Sequence, residues 1–508
     1  MVLKNLNPER VFFYFEEICN IPHGSGNTKK ISDYIVNFAK AKKLDYYVDN
    51  KNNVIVYKEA SKGYENSPVT MLQGHIDMVC EKEDGVEIDF ENEPITLEVI
   101  DGKIITAKGT TLGGDDGIAV AYMLAVLESD TDNSTVIHPP LECVFTVDEE
   151  IGMLGAAALD KTKLHSKYML NIDSEDEGIL LSGCAGGMTA AAHIPVKTVS
   201  KEISDLANDN FYRLRISGLK GGHSGVEIDK GRANACILLG RILYELSEIV
   251  NFALVNIGGG LKDNAIPREA FADICVGLPE DANIAIRTDV KSTLKIIEKE
   301  VDKYNKIFND VYGNVDPDIK VEFFKADVKP DKIFNFKTTL KIITALVNLP
   351  NGIQRMSYDI KGLVETSLNL GILKTVEDEV IFSYCVRSSI ESEKHELYSR
   401  IECLMNALGG YVSSSGDYPA WQYKRDSKLR DIVCDVFNEQ YGKMPSVETI
   451  HAGVECGLFA GEMKDLDVIS FGPDMKDIHT PNERMDVESV KRTWDLLLGI
   501  LKKIAAEG

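Results

Sequence analysis

The chain has 508 residues, 44% hydrophobic and 27% charged, the composition of a folded globular protein too long for one ordinary core. A formal net charge of -24 repels phosphate backbones and anionic lipid, so nucleic acid and membranes are excluded as expected partners and divalent cations are favoured. The ten cysteines form no Cys-x-x-Cys pair and Met1-Val2-Leu3-Lys4-Asn5-Leu6 lacks the apolar run of a signal peptide; the expectation is a cytoplasmic protein with buried free thiols, binding any metal through oxygen and nitrogen.

Helical periodicity runs from Glu9 to Asn20 and from Asn27 to Lys42, and strands are expected at Asn53 to Lys58 and Val69 to Leu72, the second ended by Gly74. A hairpin (Ile95 to Ile100, Lys103 to Ala107, turned at Asp101-Gly102) leads to the turn Gly113-Gly114-Asp115-Asp116-Gly117 and an apolar helix from Ile118 to Glu128. Buried strands follow at Leu141 to Val147 and Tyr168 to Ile172, with a short helix from Met153 to Leu159 between them. Helices between buried strands predict an α/β fold with a mostly parallel mixed sheet. After Gly183-Cys184-Ala185-Gly186-Gly187 the pattern changes to half-exposed strands such as Met188 to Ile194, Phe211 to Ser217 and Val380 to Val386, with helices at Ala233 to Val250, Lys291 to Asn305, Thr338 to Leu346 and Glu393 to Leu408. From Tyr418-Pro419-Ala420-Trp421 onward α/β character resumes, with a helix at Leu429 to Gln440, a strand at Asp467 to Phe471 and a terminal helix at Val487 to Ile504. The expected organisation is a catalytic domain made of residues 1–186 and 418–508 with an inserted α+β domain, 187–417.

Polar, metal-competent residues stand immediately after the buried strands, where open α/β sheets place their sites. They are His75 and Asp77, the Asp115-Asp116 turn, Glu149-Glu150 and Asp173; His479 follows the late strand by a loop. An isolated Asp or Glu after a strand is more often a turn former or helix cap, so the convergence carries the argument. His75, Asp115, Glu150, Asp173 and His479 form a nitrogen and oxygen set suited to two divalent ions, zinc foremost with cobalt or manganese as alternatives. One carboxylate would bridge ions about 3.5–4 Å apart that share a hydroxide nucleophile. Local sequence does not separate Asp115 from Asp116 for that role. Asp77 is placed to steady the other ring nitrogen of His75, and Glu149 is the candidate general base.

These segments resemble the co-catalytic metallopeptidases that include carnosinases, peptidase T and glutamate carboxypeptidases, and most closely the bacterial aminoacyl-histidine dipeptidases. The resemblance rests on His75-Ile76-Asp77-Met78-Val79, Thr111-Leu112-Gly113-Gly114-Asp115, Glu149-Glu150-Ile151-Gly152-Met153, Asp173-Ser174-Glu175, Gly221-Gly222-His223-Ser224-Gly225, Asn264-Ala265-Ile266-Pro267-Arg268 and His451-Ala452-Gly453-Val454-Glu455, in order along essentially the whole chain. It implies a dizinc exopeptidase-like fold, with His75, Asp115 and Asp173 around one metal, Asp115, Glu150 and His479 around the other, and Glu149 as base. It also implies that the inserted domain is a lid in which His223 reaches the substrate carbonyl oxygen. Arg387 is suited to a peptide C-terminal carboxylate, and Asn264 to the same carboxylate or the oxyanion. His451 and Glu455 are candidates to line the pocket but are given no metal-ligand role, and His23, His138, His165, His193 and His395 are expected in solvent. The expected activity is hydrolysis of short peptides, Xaa-His dipeptides in particular. Tripeptide aminopeptidase and N-acyl amino acid deacylase chemistry are the alternatives within the fold, and a non-catalytic peptide binder the alternative outside it. The inserted segment is long enough to include a homodimer interface.

Overall fold

The run from Ile118 to Leu127 has no polar face, so a helix made from it has to be covered on every side. In the computed structural model, which describes residues 1–130, 136–199, 210–277, 289–326, 330 and 332–507, the helix Gly114–Glu128 is buried from Gly114 through Leu127. The helix Glu9–Cys19 packs along it, where Gly117 leaves room for the ring of Phe15. The chain divides into two units: residues 1–184, 421–449 and 454–508 form one, and residues 185–420 with 450–453 the other. The expected divisions at 186/187 and 417/418 therefore compare with 184/185 and 420/421. Residues 450–453 join the second unit because Ala185 N–H donates to the carbonyls of Ile450 and Ala452, both at 3.1 Å.

The first unit is built on an eight-stranded sheet in the order Asp45–Val48, Val54–Lys58, Leu141–Thr146, Thr70–His75, Tyr168–Asn171, Asp467–Ser470, Ile179–Cys184, Ser446–Ile450. Its centre is parallel, from Leu141–Thr146 through Thr70–His75 and Tyr168–Asn171 to Asp467–Ser470, and antiparallel pairs flank it. These central strands are apolar on both faces because helices cover both sides, which is why their sequences read as continuous rather than alternating runs. The strand expected to stop before Gly74 continues to His75, since His75 pairs with Thr146 in register. Gly74 is needed for a different reason: a Cβ there would lie 2.4 Å from Asp116 Oδ2 and 2.7 Å from the Cβ of Ala119. A four-stranded sheet contains the expected hairpin, Leu97–Ile100 with Ile104–Ala107, turned by Asp101 and Gly102 at φ 51° and 67°.

The second unit is a nine-stranded sheet whose described pairings are all antiparallel. The helices Ala235–Ile249, Val290–Tyr312, Phe336–Asn348 and Glu391–Leu408 contribute to its apolar core. Alternation in Glu379–Ser388, with Val380, Phe382, Tyr384 and Val386 inward, is the period-two signature of a sheet covered on one face. Of the histidines expected in solvent, His165 and His395 are exposed; His23 and His138 are buried, and His193 is largely covered by its stack on Tyr411.

Candidate metal centre and active site

Adjacent parallel strands in register end together, and this brings the site residues to one edge of the first unit. His75 ends its strand opposite Thr146, and Gln73 lies opposite Asn171. Glu149 and Glu150 therefore come from the turn after one neighbour and Asp173 from the turn after the other. Asp115 enters from the start of the helix Gly114–Glu128, and His479 from the loop beyond Asp467–Ser470.

The imidazole Nε2 of His75 lies 3.1 Å from Asp115 Oδ1 and 3.7 Å from Asp173 Oδ1. Nε2 of His479 lies 3.1 Å from Asp115 Oδ2 and 2.8 Å from Glu150 Oε1. Asp115 thus divides its two oxygens between two imidazoles. Asp116 also groups with His75 and Asp173. Its Oδ2, however, accepts the backbone N–H of His75 at 3.2 Å, and its fully buried Oδ1 has no partner. Although burial opposes it, hydrogen bonds from His479 and His75 hold Asp115 well below the usual carboxylate range. The same contact with Asp115, and that with Glu150, pushes His479 up to about 10.

Three carboxylate and imidazole clusters among the described residues could each hold a cation: His75, Asp116 and Asp173; His75, Glu149 and Glu150; and Asp115, Glu150 and His479. The donor set is all oxygen and imidazole nitrogen, and its carboxylates lie close to one another. A pair of divalent cations fits that arrangement chemically.

Asp77 faces the other ring nitrogen of His75 and makes further contacts of its own. Nδ1 of His75 is 3.0 Å from the backbone carbonyl of Asp77 and 3.6 Å from its Oδ1. The carboxylate also accepts Ser25 Oγ–H at 2.8 Å and the backbone N–H groups of Glu149 and Glu150 at 3.1 and 3.3 Å. Asp77 thus ties the His75 strand end to the Glu149-Glu150 turn, which is further shaped by Asp148 and Met153 at φ 54° and 58°. Burial pushes the Glu149 carboxyl up to about 8, with Glu455, Glu150 and Asp115 adding to the effect.

The three residues expected to bind substrate lie in the second unit. His223 pairs with Ala265 in a two-stranded ladder, and its Nδ1 accepts N–H from Gly225 and Val226 at 3.1 and 3.2 Å. That leaves the proton on Nε2, free to be donated. Arg387 is buried, donates to Tyr418 Oη at 3.1 Å, has an unpartnered Nε and no carboxylate partner among the described residues. Asn264 contributes its backbone carbonyl to Ser224 N–H at 2.9 Å. His451, in the same unit, is buried with Nε2 2.7 Å from Ser367 Oγ.

Sequence reasoning gave no role to Ser25 or Glu483 and left that of Glu455 open. Ser25 steadies Asp77, and fully buried Glu455 accepts from Gln73 and Thr146, both at 2.6 Å, behind the strand ends that carry the site. Glu483 grips the turn before Asp115. Glu455 stands in one of the motifs that carry the resemblance, and Glu483 follows His479 by four residues.

Residues 71–503 match peptidase family M20/M25/M40. The chain belongs to that family. As an M20 member it is a peptide-bond hydrolase. It is 36% identical over 508 residues to the cytosol non-specific dipeptidase of Escherichia coli K12, covering 99% of each sequence. The aminoacylhistidine dipeptidase of Vibrio alginolyticus is 35% identical and superposes with a TM-score of 0.87 over 98% of this chain and 97% of that one. Aminopeptidase PepT of Bacillus cereus ATCC 10987, at 15% identity and a TM-score of 0.54 over 98% and 99%, shares the fold.

Proposed function

We propose that this M20 peptidase is a cytoplasmic, metal-dependent dipeptidase that accepts Xaa-His among its substrates, with zinc as its metal and cobalt or manganese as substitutes. What supports it most is the position of Asp115 between His75 and His479, with Glu149 beside His75 and Glu150. Full-length similarity to two relatives, one named a cytosol non-specific dipeptidase and one an aminoacylhistidine dipeptidase, supports the substrate class. Two divalent cations held by His75, Asp115, Glu150, Asp173 and His479 would polarise the scissile carbonyl and make water nucleophilic at neutral pH.

Glu149 accepts the proton of the attacking water and passes it to the leaving amine, a task suited to a carboxyl whose affinity for protons is raised by burial. Asp77 holds the backbone of that base at a fixed distance from His75. His223, with its proton on Nε2, donates to the developing oxyanion. Arg387 pairs with the substrate carboxylate, and Asn264 assists through its amide. A dipeptide library incubated with the metal-loaded full chain, read by chromatography of the released amino acids, tests this. Hydrolysis of dipeptides, Xaa-His included, is expected; cleavage confined to tripeptides or N-acyl amino acids would overturn it.

A further inference from the structure

Glu483 closes the segment His479-Thr480-Pro481-Asn482-Glu483 and has no part in the chemistry above. It is 2% exposed, and among the described residues it has no cationic partner. Four consecutive backbone N–H groups donate into its carboxylate instead. Leu112 and Gly113 reach Oε2 at 2.7 and 3.0 Å, and Gly114 and Asp115 reach Oε1 at 2.8 and 3.3 Å. These are the amides entering the helix Gly114–Glu128, whose N-cap, Gly113, has no side chain to accept them. A carboxylate from distant sequence takes that place, where the helix dipole also favours negative charge. The glycines make the approach feasible: Gly113 is left-handed at φ 69°, and a Cβ on Gly114 would stand 3.2 Å from Glu483 Oε1.

The other end of the segment is held as firmly. His479 and Asp477 are both left-handed, at φ 59° and 54°, a conformation that non-glycine residues keep only when their surroundings impose it. Thr480 Oγ1 donates to the Asp477 carbonyl at 2.6 Å, Glu483 N–H to the Thr480 carbonyl at 3.1 Å, and Arg484 pairs with Asp477. Thr106 Oγ1 donates to the Glu483 carbonyl at 2.8 Å. One side chain therefore joins the turn that presents Asp115 to the loop that presents His479, whose imidazole is 3.1 Å from Asp115 Oδ2.

We infer that Glu483 is a positioning residue of the metal centre: it locks the Asp115 turn to the His479 loop, so that the Asp115, Glu150 and His479 donors are preformed for a cation. This rests on the reading of those residues as ligands. A helix cap without that role would affect heat stability and nothing else.

The test is zinc titration of the metal-free full chain against a chromophoric chelator, with thermal melts of the same samples. In Glu483→Gln, one acceptor oxygen becomes an amide that opposes the incoming N–H groups. One zinc equivalent should bind about 10–100-fold more weakly and the other within about threefold, the usual effect of losing a group that orients ligands. kcat at limiting zinc should fall with it and recover at saturating zinc, while KM stays unchanged. Glu483→Asp, which keeps the charge, should recover part of the affinity. Gly114→Ala, which crowds the carboxylate without removing it, should weaken the same equivalent, and it decides the matter if Glu483→Gln does not fold. Wild-type affinity for both equivalents in a less heat-stable Glu483→Gln, or in Gly114→Ala if that variant has to decide, would overturn the inference. Failure of the unmutated chain to bind two equivalents would instead overturn the reading of the ligands on which it rests.

Discussion

Replacing Glu149 by Gln separates chemistry from metal binding more cleanly than any ligand substitution. Among the described residues the Glu149 side chain makes no hydrogen bond, so the change breaks none; its backbone alone is engaged, the N–H donating to Asp77 and the carbonyl accepting from Gly152 and Met153. Burial already raises its carboxyl to about 8 in the metal-free fold, so near neutral pH the uncharged amide resembles the form present there. Stability of the metal-free protein should therefore stay within about 0.5 kcal/mol of the parent, the usual range for a change that removes no packing or bond. Turnover should fall by the roughly 10²- to 10⁴-fold that follows loss of a general base, equivalent to about 2.7–5.5 kcal/mol in the barrier. Urea unfolding, elemental analysis and kcat on a good dipeptide, taken from one preparation, provide the readouts. Near-normal turnover with full metal would remove Glu149 from the mechanism, and loss of one metal would exchange its role with that of Glu150.

Arg387→Ala should reduce kcat/KM on a dipeptide by roughly 10- to 150-fold, the worth of a hydrogen bond to a charged group, yet barely change it on the C-terminal amide. Equal losses on both substrates would show that Arg387 does not hold the carboxylate. Burial lowers His138 to about 4, below its ordinary 6.5, so the unfolded chain binds this proton first and stability should fall as pH drops from about 6.5 towards 4. Urea unfolding of chelated protein should lose that part of the slope in His138→Gln; an unchanged slope would refute it. Glu455→Ala should destabilise by about 1–3 kcal/mol, since it removes the buried acceptor of the 2.6 Å hydrogen bonds from Gln73 and Thr146, and a denaturation midpoint equal to the parent's would contradict this.

Much of the fold was readable because each half keeps a regular period. Continuous apolar runs marked the parallel strands, and alternation marked Glu379–Ser388. The helix Val290–Tyr312 outran its expected end at Asn305, where the sequence offers a stop signal. Asn305 instead spends its side chain on the carbonyls of Val301 and Val321 and its backbone stays helical, while Phe308 one turn on is buried. The candidate site residues were legible as types placed after strands, whereas the different contacts of Asp115 and Asp116 depend on side-chain direction, which has no local sequence signal. Ser25, Glu455 and the grip of Glu483 on residues 112–115 are contacts across 52, 382 and about 370 positions. Periodicity carries no information at such separations. His138 misled for a related reason: a histidine before two prolines reads as a surface turn, but its backbone is anchored to Ser61 and the residue is carried inward.

The most direct test of the two-metal account is stepwise reconstitution: chelated, dialysed chain is titrated with zinc while bound metal and dipeptide hydrolysis are measured at each step. The account predicts negligible hydrolysis without metal, two equivalents bound per chain, and activity that saturates as the second is filled. Full hydrolysis by metal-free protein, or saturation of both binding and activity at one equivalent, would contradict it.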